Sequence, residues 1–227
     1  MTVPAGASIL IGTSQRWLCR QGTFAMIDKT DALRMIRDQI LALEASPLYA
    51  YRTENKFFPV IGEGSHNAAV MVIGEAPGEN EARQGRPFVG ASGRLLDELL
   101  AEIDLRREDI YITNVVKDRP PENRNPHKKE VAIYAPFLEQ QIALIQPRIL
   151  VTLGRFALEF VAARYAPDVT APRITQLHGQ ALPGTAPYGS IHILPLFHPA
   201  VALYDPTQKG ILSADFRALQ SLLSGLT

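Results

Sequence analysis

The stretch Val70–Leu100, VMVIGEAPGENEARQGRPFVGASGRLLDELL, decides how the rest of the chain is read. Val70 to Ile73 is a run of apolar, mostly β-branched residues, the pattern of a strand buried on both faces of a parallel sheet. Gly74-Glu75-Ala76-Pro77-Gly78 follows and makes a tight turn at the carboxyl end of that strand, where open α/β sheets place their ligands. Glu75 puts one acid inside the turn. Arg86-Pro87-Phe88-Val89-Gly90 then sets an aromatic ring in a second turn, and Ser92 to Leu100 reads as an amphipathic helix. Neither GxGxxG nor GxxxxGK[ST] spacing is present, so no phosphate cradle is indicated. A structural turn with a core Phe is the plain alternative.

Outward from this unit, Asp31 is expected to cap a helix through about Glu44, with Leu33, Ile36, Ile40 and Leu43 on one face. Ser46-Pro47 breaks it, and the region through Gly64 reads as loop with at most one short strand. Downstream, Asp109 to Lys117 is a second β-type run, and Pro120 to Pro126 is a proline-rich loop that excludes a helix. A long helix is predicted from about Lys128 to Ile145, a strand from Arg148 to Leu153, and another helix after Gly154. Asp168 to Gly189, dense in Pro, Gly and Thr, reads as a surface excursion. Ile191 to Phe197 is the last buried strand, ending at His198-Pro199, and a final helix covers about Ile211 to Leu223. Alternating strand and helix predict an α/β fold, a three-layer α/β/α sandwich around a central, mainly parallel sheet. Residues 1–25 lack periodicity and are read as an N-terminal tail of uncertain order, with 26–227 as a single domain.

With 227 residues, 46% of them apolar, and no apolar run long enough to span a bilayer, the expectation is a globular, membrane-free monomer with one substantial core. The 23 Lys and Arg balance the 23 Asp and Glu. Any nucleic-acid binding must therefore come from a local basic surface and not from a global field. The single cysteine, Cys19, excludes an intrachain disulfide framework, and no secretory signal is apparent, so a cytoplasmic location is expected.

The complete pattern GEAPG, acidic residues, GRPFVG and a small-Gly-x-Leu-Leu helix start resembles the first motif of the family 4 uracil-DNA glycosylases. Thr113-Asn114-Val115-Val116-Lys117-x-Arg119-Pro120-Pro121-x-Asn123-Arg124-x-Pro126 resembles the second motif, and His198-Pro199-Ala200 the third. The resemblance runs from about Ser46 to the end of the chain. It implies the uracil-DNA glycosylase fold and hydrolysis of the bond between uracil and deoxyribose in DNA, leaving an abasic site. Such an enzyme must flip the base, oppose negative charge on the departing uracil O2, and stabilise the cationic sugar while guiding water to it. The resemblance implies Glu75, Asn114 and His198 as catalytic residues, and Ala76, Pro77, Phe88, Asn114, Glu81 and Asn123 around the base. The Asn114 carboxamide can accept from uracil N3–H and donate to O4, provided that a supporting contact fixes its orientation, because cytosine presents the reverse pattern. A neutral His198 can donate toward O2. Taken singly, each residue has a blander reading as a turn former, a cap or a solvated acid. Their co-occurrence is what favours the pocket.

Family 4 enzymes hold an iron–sulfur cluster on four cysteines. By alignment those positions here are Leu43, Ser46, Asp118 and Tyr134, which cannot replace thiolates, so no metal cofactor is expected. Tyr134, and an ion pair of Asp118 with Lys117 or Arg119, are expected to brace the loops instead. Arg86, Lys117, Arg119, Arg124 and Lys128 are candidate DNA contacts, as are Pro199, Ala200, Val201 and Tyr204 after the third motif, where the family tends to carry an Arg at the position of Tyr204. The implied partner is uracil-containing DNA, single-stranded and also double-stranded. The basic insertion of covalent-trapping relatives is missing, so ordinary turnover is expected. Two other readings stay open: a non-catalytic DNA-binding relative, and a glycosylase for another deaminated base.

Overall fold

The computed structural model describes residues 28–226, together with the backbone of three short strands before them. These are β1 (Ile9–Ile11), β2 (Arg16–Arg20) and β3 (Thr23–Met26), which pair antiparallel in that order. The Cys19 side chain and most of the expected tail lie outside the described residues.

The main sheet is formed by β4 (Glu63–Gly64), β5 (Val70–Gly74), β6 (Tyr111–Asn114), β7 (Ile149–Leu153), β8 (Leu182–Ala186) and β9 (Gly189–Leu196). Their spatial order is β4-β6-β5-β7-β9-β8. The central four run parallel, and β4 and β8 close the edges antiparallel. Every residue of β5, β6 and β7 is buried, as the apolar runs of β5 and β7 require. Alternation along β5 divides the core. Met71 and Ile73 face a layer built from α1 (Lys29–Leu41), α5 (Lys128–Ile145) and α6 (Arg155–Tyr165). Val70 and Val72 face α4 (Ala91–Ala101) and α9 (Lys209–Ser224). The three-layer expectation therefore holds.

The direction in which successive strands are laid down reverses at β5, since β6 is added on one side of it and β7 on the other, all three running parallel. This is the switch point at which strand ends leave a crevice.

Several local expectations need correction. The first helix starts at Lys29 after Asp28, and Asp31 sits in its first turn, where it accepts from Arg34 at 2.8 Å and suits the helix dipole. It ends at Leu41, short of Glu44. The segment after Pro47 contains α2 (Tyr49–Glu54), which the proline precedes and so does not disrupt. The acidic stretch after Gly78 forms α3 (Glu79–Gln84). The proline-rich loop holds one 3-10 turn, Pro121–Asn123, in which Pro121 occupies the first position, where no donor is needed. The excursion Asp168 to Gly189 contains α7 (Ile174–Leu177) and β8; β8 is an edge strand, which tolerates its own Pro183. Val201–Tyr204 forms one short helix, α8, ahead of α9.

Candidate active site at the strand ends

Three carboxyl ends of parallel strands converge: Gly74 of β5, Asn114 of β6 and, just past β9, His198. Between them lies a cavity of about 460 Å³ walled by Ala76, Glu81, Phe88, Asn114, Asn123, His198 and Ala200 among others. That size suits a small planar ligand. A larger cavity of about 710 Å³ lies by Pro136, Glu139, Arg164 and Thr185 and holds none of the candidate residues.

The β5 turn makes room for this convergence. A Cβ on Gly74 would sit 2.4 Å from Asn114 Oδ1 and 2.8 Å from Phe88 Cζ, so only glycine lets both side chains close over the strand end. Phe88 itself has φ 51°, a left-handed conformation that a bulky residue adopts at a cost. Its loop is held from two sides. Glu81 Oε1 accepts the Val89 and Gly90 N–H groups at 2.9 and 2.8 Å, and Arg107 donates to the carbonyls of Pro87 and Phe88. Arg107 also pairs with Asp97 at 2.9 Å. Sequence reasoning missed Arg107, because an Arg in a surface-type turn carries no signal of the loop that it will hold.

The imidazole of His198 stacks against Phe88, with centroids 5.7 Å apart and planes 30° apart. Its Nδ1 accepts from the Ala200 N–H at 3.2 Å, which leaves the proton of a neutral ring on Nε2. Burial lowers its pKa from 6.5 to about 4, against a smaller upward pull from Glu81, so the ring is neutral at pH 7.

Asn114 is 2% exposed and lines the cavity, yet among the described hydrogen bonds none uses its carboxamide. Among the described residues, the contact expected to fix that amide is not made at the side chain. Glu75 and Pro77 are not among the cavity walls. The Glu75 carboxyl is half-buried, and desolvation raises its pKa above the usual 4.5, partly offset by the charge of Arg155.

The candidate DNA contacts divide. Lys117 is not a surface cation: its side chain is fully buried, and Nζ donates to Thr113 Oγ1, the Asn114 carbonyl and Gln141 Oε1. Arg119 is also turned inward, 9% exposed, where it donates to Asn123 Oδ1 at 2.8 Å and pairs with Glu79 at 3.2 Å. It orders the loop that brings Asn123 to the cavity. Arg124 is committed to the buried Glu130, which also caps α5 through the His127 N–H. Arg86 is half-exposed and pairs with Glu63. Lys128 is exposed, and Pro199 and Ala200 lead into α8, which begins at Val201 and whose Leu203 and Tyr204 stand 47% and 89% exposed.

The four positions aligned with cluster cysteines do not fit a cluster. Ser46 Oγ and Tyr134 Oη lie 2.8 Å apart, Tyr134 donates to Asp118 Oδ2 at 2.6 Å, and Arg52 donates to both Asp118 oxygens at 3.2 Å. Leu43 packs against the adjoining core. These oxygens serve one another inside a filled core and include no thiolate. Asp118 thus pairs with Arg52 and Tyr134, not with Lys117 or Arg119 as expected from their adjacency. Arg52 comes from α2, a segment whose sequence predicts loop.

Comparison with known proteins agrees with this geometry. Residues 61–220 match the family model described as the uracil DNA glycosylase superfamily. A type-4 uracil-DNA glycosylase of Sulfurisphaera tokodaii is 39% identical over 193 residues, covering 85% of each chain. One from Thermotoga maritima is 39% identical over 178 residues, 78% of this chain and 86% of the relative. A type-5 uracil-DNA glycosylase of Thermus thermophilus is 34% identical over 155 residues, 62% of this chain and 68% of the other. With the match extending over the sheet, the crevice and all three strand-end motifs, the chain belongs to the uracil DNA glycosylase superfamily.

Proposed function

We propose that this protein hydrolyses the N-glycosidic bond of deoxyuridine in DNA, releasing uracil and leaving an abasic site, and that it does so as a cytoplasmic monomer without an iron–sulfur cluster. The observation that carries this reading is the joining of Asn114, Phe88 and a neutral His198 around one cavity at the sheet's switch point.

Phe88 offers a face for the flipped base, and the unengaged Asn114 carboxamide is available to the N3–H and O4 edge. The Nε2–H of His198 is directed by the tautomer to donate, and opposes negative charge on O2 as the bond breaks. A neutral donor is suited to that task at pH 7, because it needs no prior protonation. Of the two acids, Glu81 is the one in the cavity wall. Its Oε1 is occupied by backbone N–H groups, and Oε2, which makes none of the described hydrogen bonds, is the group for the attacking water. Glu75, half-buried at the end of β5, supplies negative charge that favours the cationic sugar. Leu203 and Tyr204 stand out from α8 as an apolar wedge for the gap left by the base, and Lys128 is a phosphate contact. Support for the cluster-free state is the closed Ser46–Tyr134–Asp118–Arg52 chain.

Incubation with a single-stranded oligonucleotide bearing one uracil, followed by alkaline cleavage of abasic sites, tests the proposal. A strand break at the uracil is the expected result. No break on single or double strands, with DNA binding intact, would contradict it and favour a binding protein.

A further inference from the structure

Lys117 belongs to the second motif, yet the fold places it beyond the reach of DNA. Its Nζ makes three hydrogen bonds, to Thr113 Oγ1 at 2.6 Å, to the main-chain oxygen of Asn114 at 2.8 Å and to Gln141 Oε1 at 2.6 Å. Each acceptor is committed as an acceptor. Thr113 donates its own hydrogen to the Ile61 carbonyl at 2.7 Å. The Gln141 Nε2 donates to Ile61 O and Tyr111 Oη, which turns Oε1 toward the lysine. Three acceptors call for three N–H groups, which an ammonium has and a neutral amine lacks.

We infer that Lys117 is a positioning residue for the base-reading amide: its hydrogen bonds clamp the Asn114 carbonyl to Thr113 and to Gln141 of α5, and so set where the carboxamide stands in the cavity. The inference rests on the reading of Asn114 given under the proposed function. Because none of the described hydrogen bonds holds the carboxamide itself, its place is set by the backbone. That backbone is latched on both sides of the lysine clamp. Val115 and Val116 donate to the carbonyls of Gly74 and Glu75, and Val60 donates to the carbonyl of Lys117. The strand end that carries Asn114 and the turn that carries Glu75 are therefore one unit, with the ammonium at its base.

Burial opposes the ammonium and pulls the Lys117 pKa well below 10.5. The titratable and charged groups tied to it are Tyr111 of β6, which shares Gln141 with it, and Asp118 and Arg119 next in the chain, together with the partners of Asp118, Tyr134 of α5 and Arg52 of α2. Burial raises both tyrosines, which keeps them neutral. Asp118 faces Arg52 and Tyr134, and Arg119 faces Glu79 and Asn123. No carboxylate is among the hydrogen-bond partners of Nζ, so the ammonium depends on its three neutral acceptors.

Two variants of the full chain test this, with single-stranded uracil DNA as substrate. Lys117→Met is expected to lose about 10²-fold in kcat through misplacement of the amide, while affinity for product DNA bearing an abasic site is kept. Gln141→Leu retains the lysine but removes one acceptor, which disfavours the ammonium, so the alkaline limb of kcat is expected to move down by about one pH unit. An unchanged kcat in folded Lys117→Met, or an unmoved alkaline limb in Gln141→Leu, overturns the inference. Should Lys117→Met fail to fold, the pH profile of Gln141→Leu decides alone. An inactive wild type, or a fully active Asn114→Ala, overturns the reading of the site as well, and is thereby distinguished from a failure of Lys117 alone.

Discussion

A Cβ on Gly74 would lie 2.4 Å from Oδ1 of Asn114, so the glycine at the end of β5 is what lets the β6 amide stand over the neighbouring strand. Gly74→Ala is therefore expected to push Asn114 and Phe88 apart. The predicted outcome is a fall in kcat of about 10²-fold, the scale of an ångström-sized misplacement. Kinetics on single-stranded uracil DNA, with a thermal melt beside them, check that the loss exceeds any change in folding.

Glu81 and Glu75 are separated by conservative replacement. Gln at 81 keeps an oxygen for the Val89 and Gly90 N–H groups and removes only the charge. Glu81→Gln is expected to fold normally and to lose about 10²- to 10⁴-fold in kcat, the range for a lost general base. Glu75→Gln is expected to lose about tenfold, corresponding to ~1.4 kcal/mol in the barrier. The reverse order in steady-state assays would transfer the water-holding role to Glu75.

Much of this arrangement is legible in the sequence, and for physical reasons. β5 and β7 are buried on both faces, so they appear as unbroken apolar runs, and the glycine turn after β5 marks the ligand end. β8 is hidden because its Pro183 and Gly184 read as loop residues, although an edge strand accommodates them. The fate of the basic residues is not legible. Lys117 and Arg119 carry charge, which reads as surface, and only the three-dimensional placement of Gln141, Thr113, Glu79 and Asn123 shows why both turn inward. The Arg52–Asp118 pair joins residues 66 positions apart, and nothing local in either segment announces it.

The buried chain at the cluster positions makes its own prediction. Purified protein is expected to be colourless and free of stoichiometric iron by elemental analysis. Arg52→Met leaves the Asp118 charge unpaired in the core and is expected to destabilise by about 3–5 kcal/mol. Tyr134→Phe removes only the hydroxyl link and should cost about 1–3 kcal/mol in denaturant unfolding. Bound iron, or indifference to both substitutions, would contradict the proposed bracing role.

Stability is expected to depend on His198 in mildly acidic solution. Its folded pKa of about 4 lies below the usual 6.5, so between these values the unfolded chain binds more protons. Stability from this residue is complete above 6.5 and is lost as pH falls through 4, by at most about 3 kcal/mol. Burial raises Glu75 and Asp118, which act in the opposite sense. Comparison of wild type with His198→Gln isolates the histidine, and the variant should show the shallower fall in Tm from pH 7 to pH 4.

The most direct measurement is uracil excision from a single-stranded oligonucleotide by the wild type, Asn114→Ala and His198→Ala side by side, with alkali revealing abasic sites. The expected result is cleavage at the uracil by wild type and a loss of at least about 10²-fold in each variant, as for removal of a transition-state hydrogen-bond donor. Wild-type levels of cleavage in either variant would contradict the placing of the active site in this cavity.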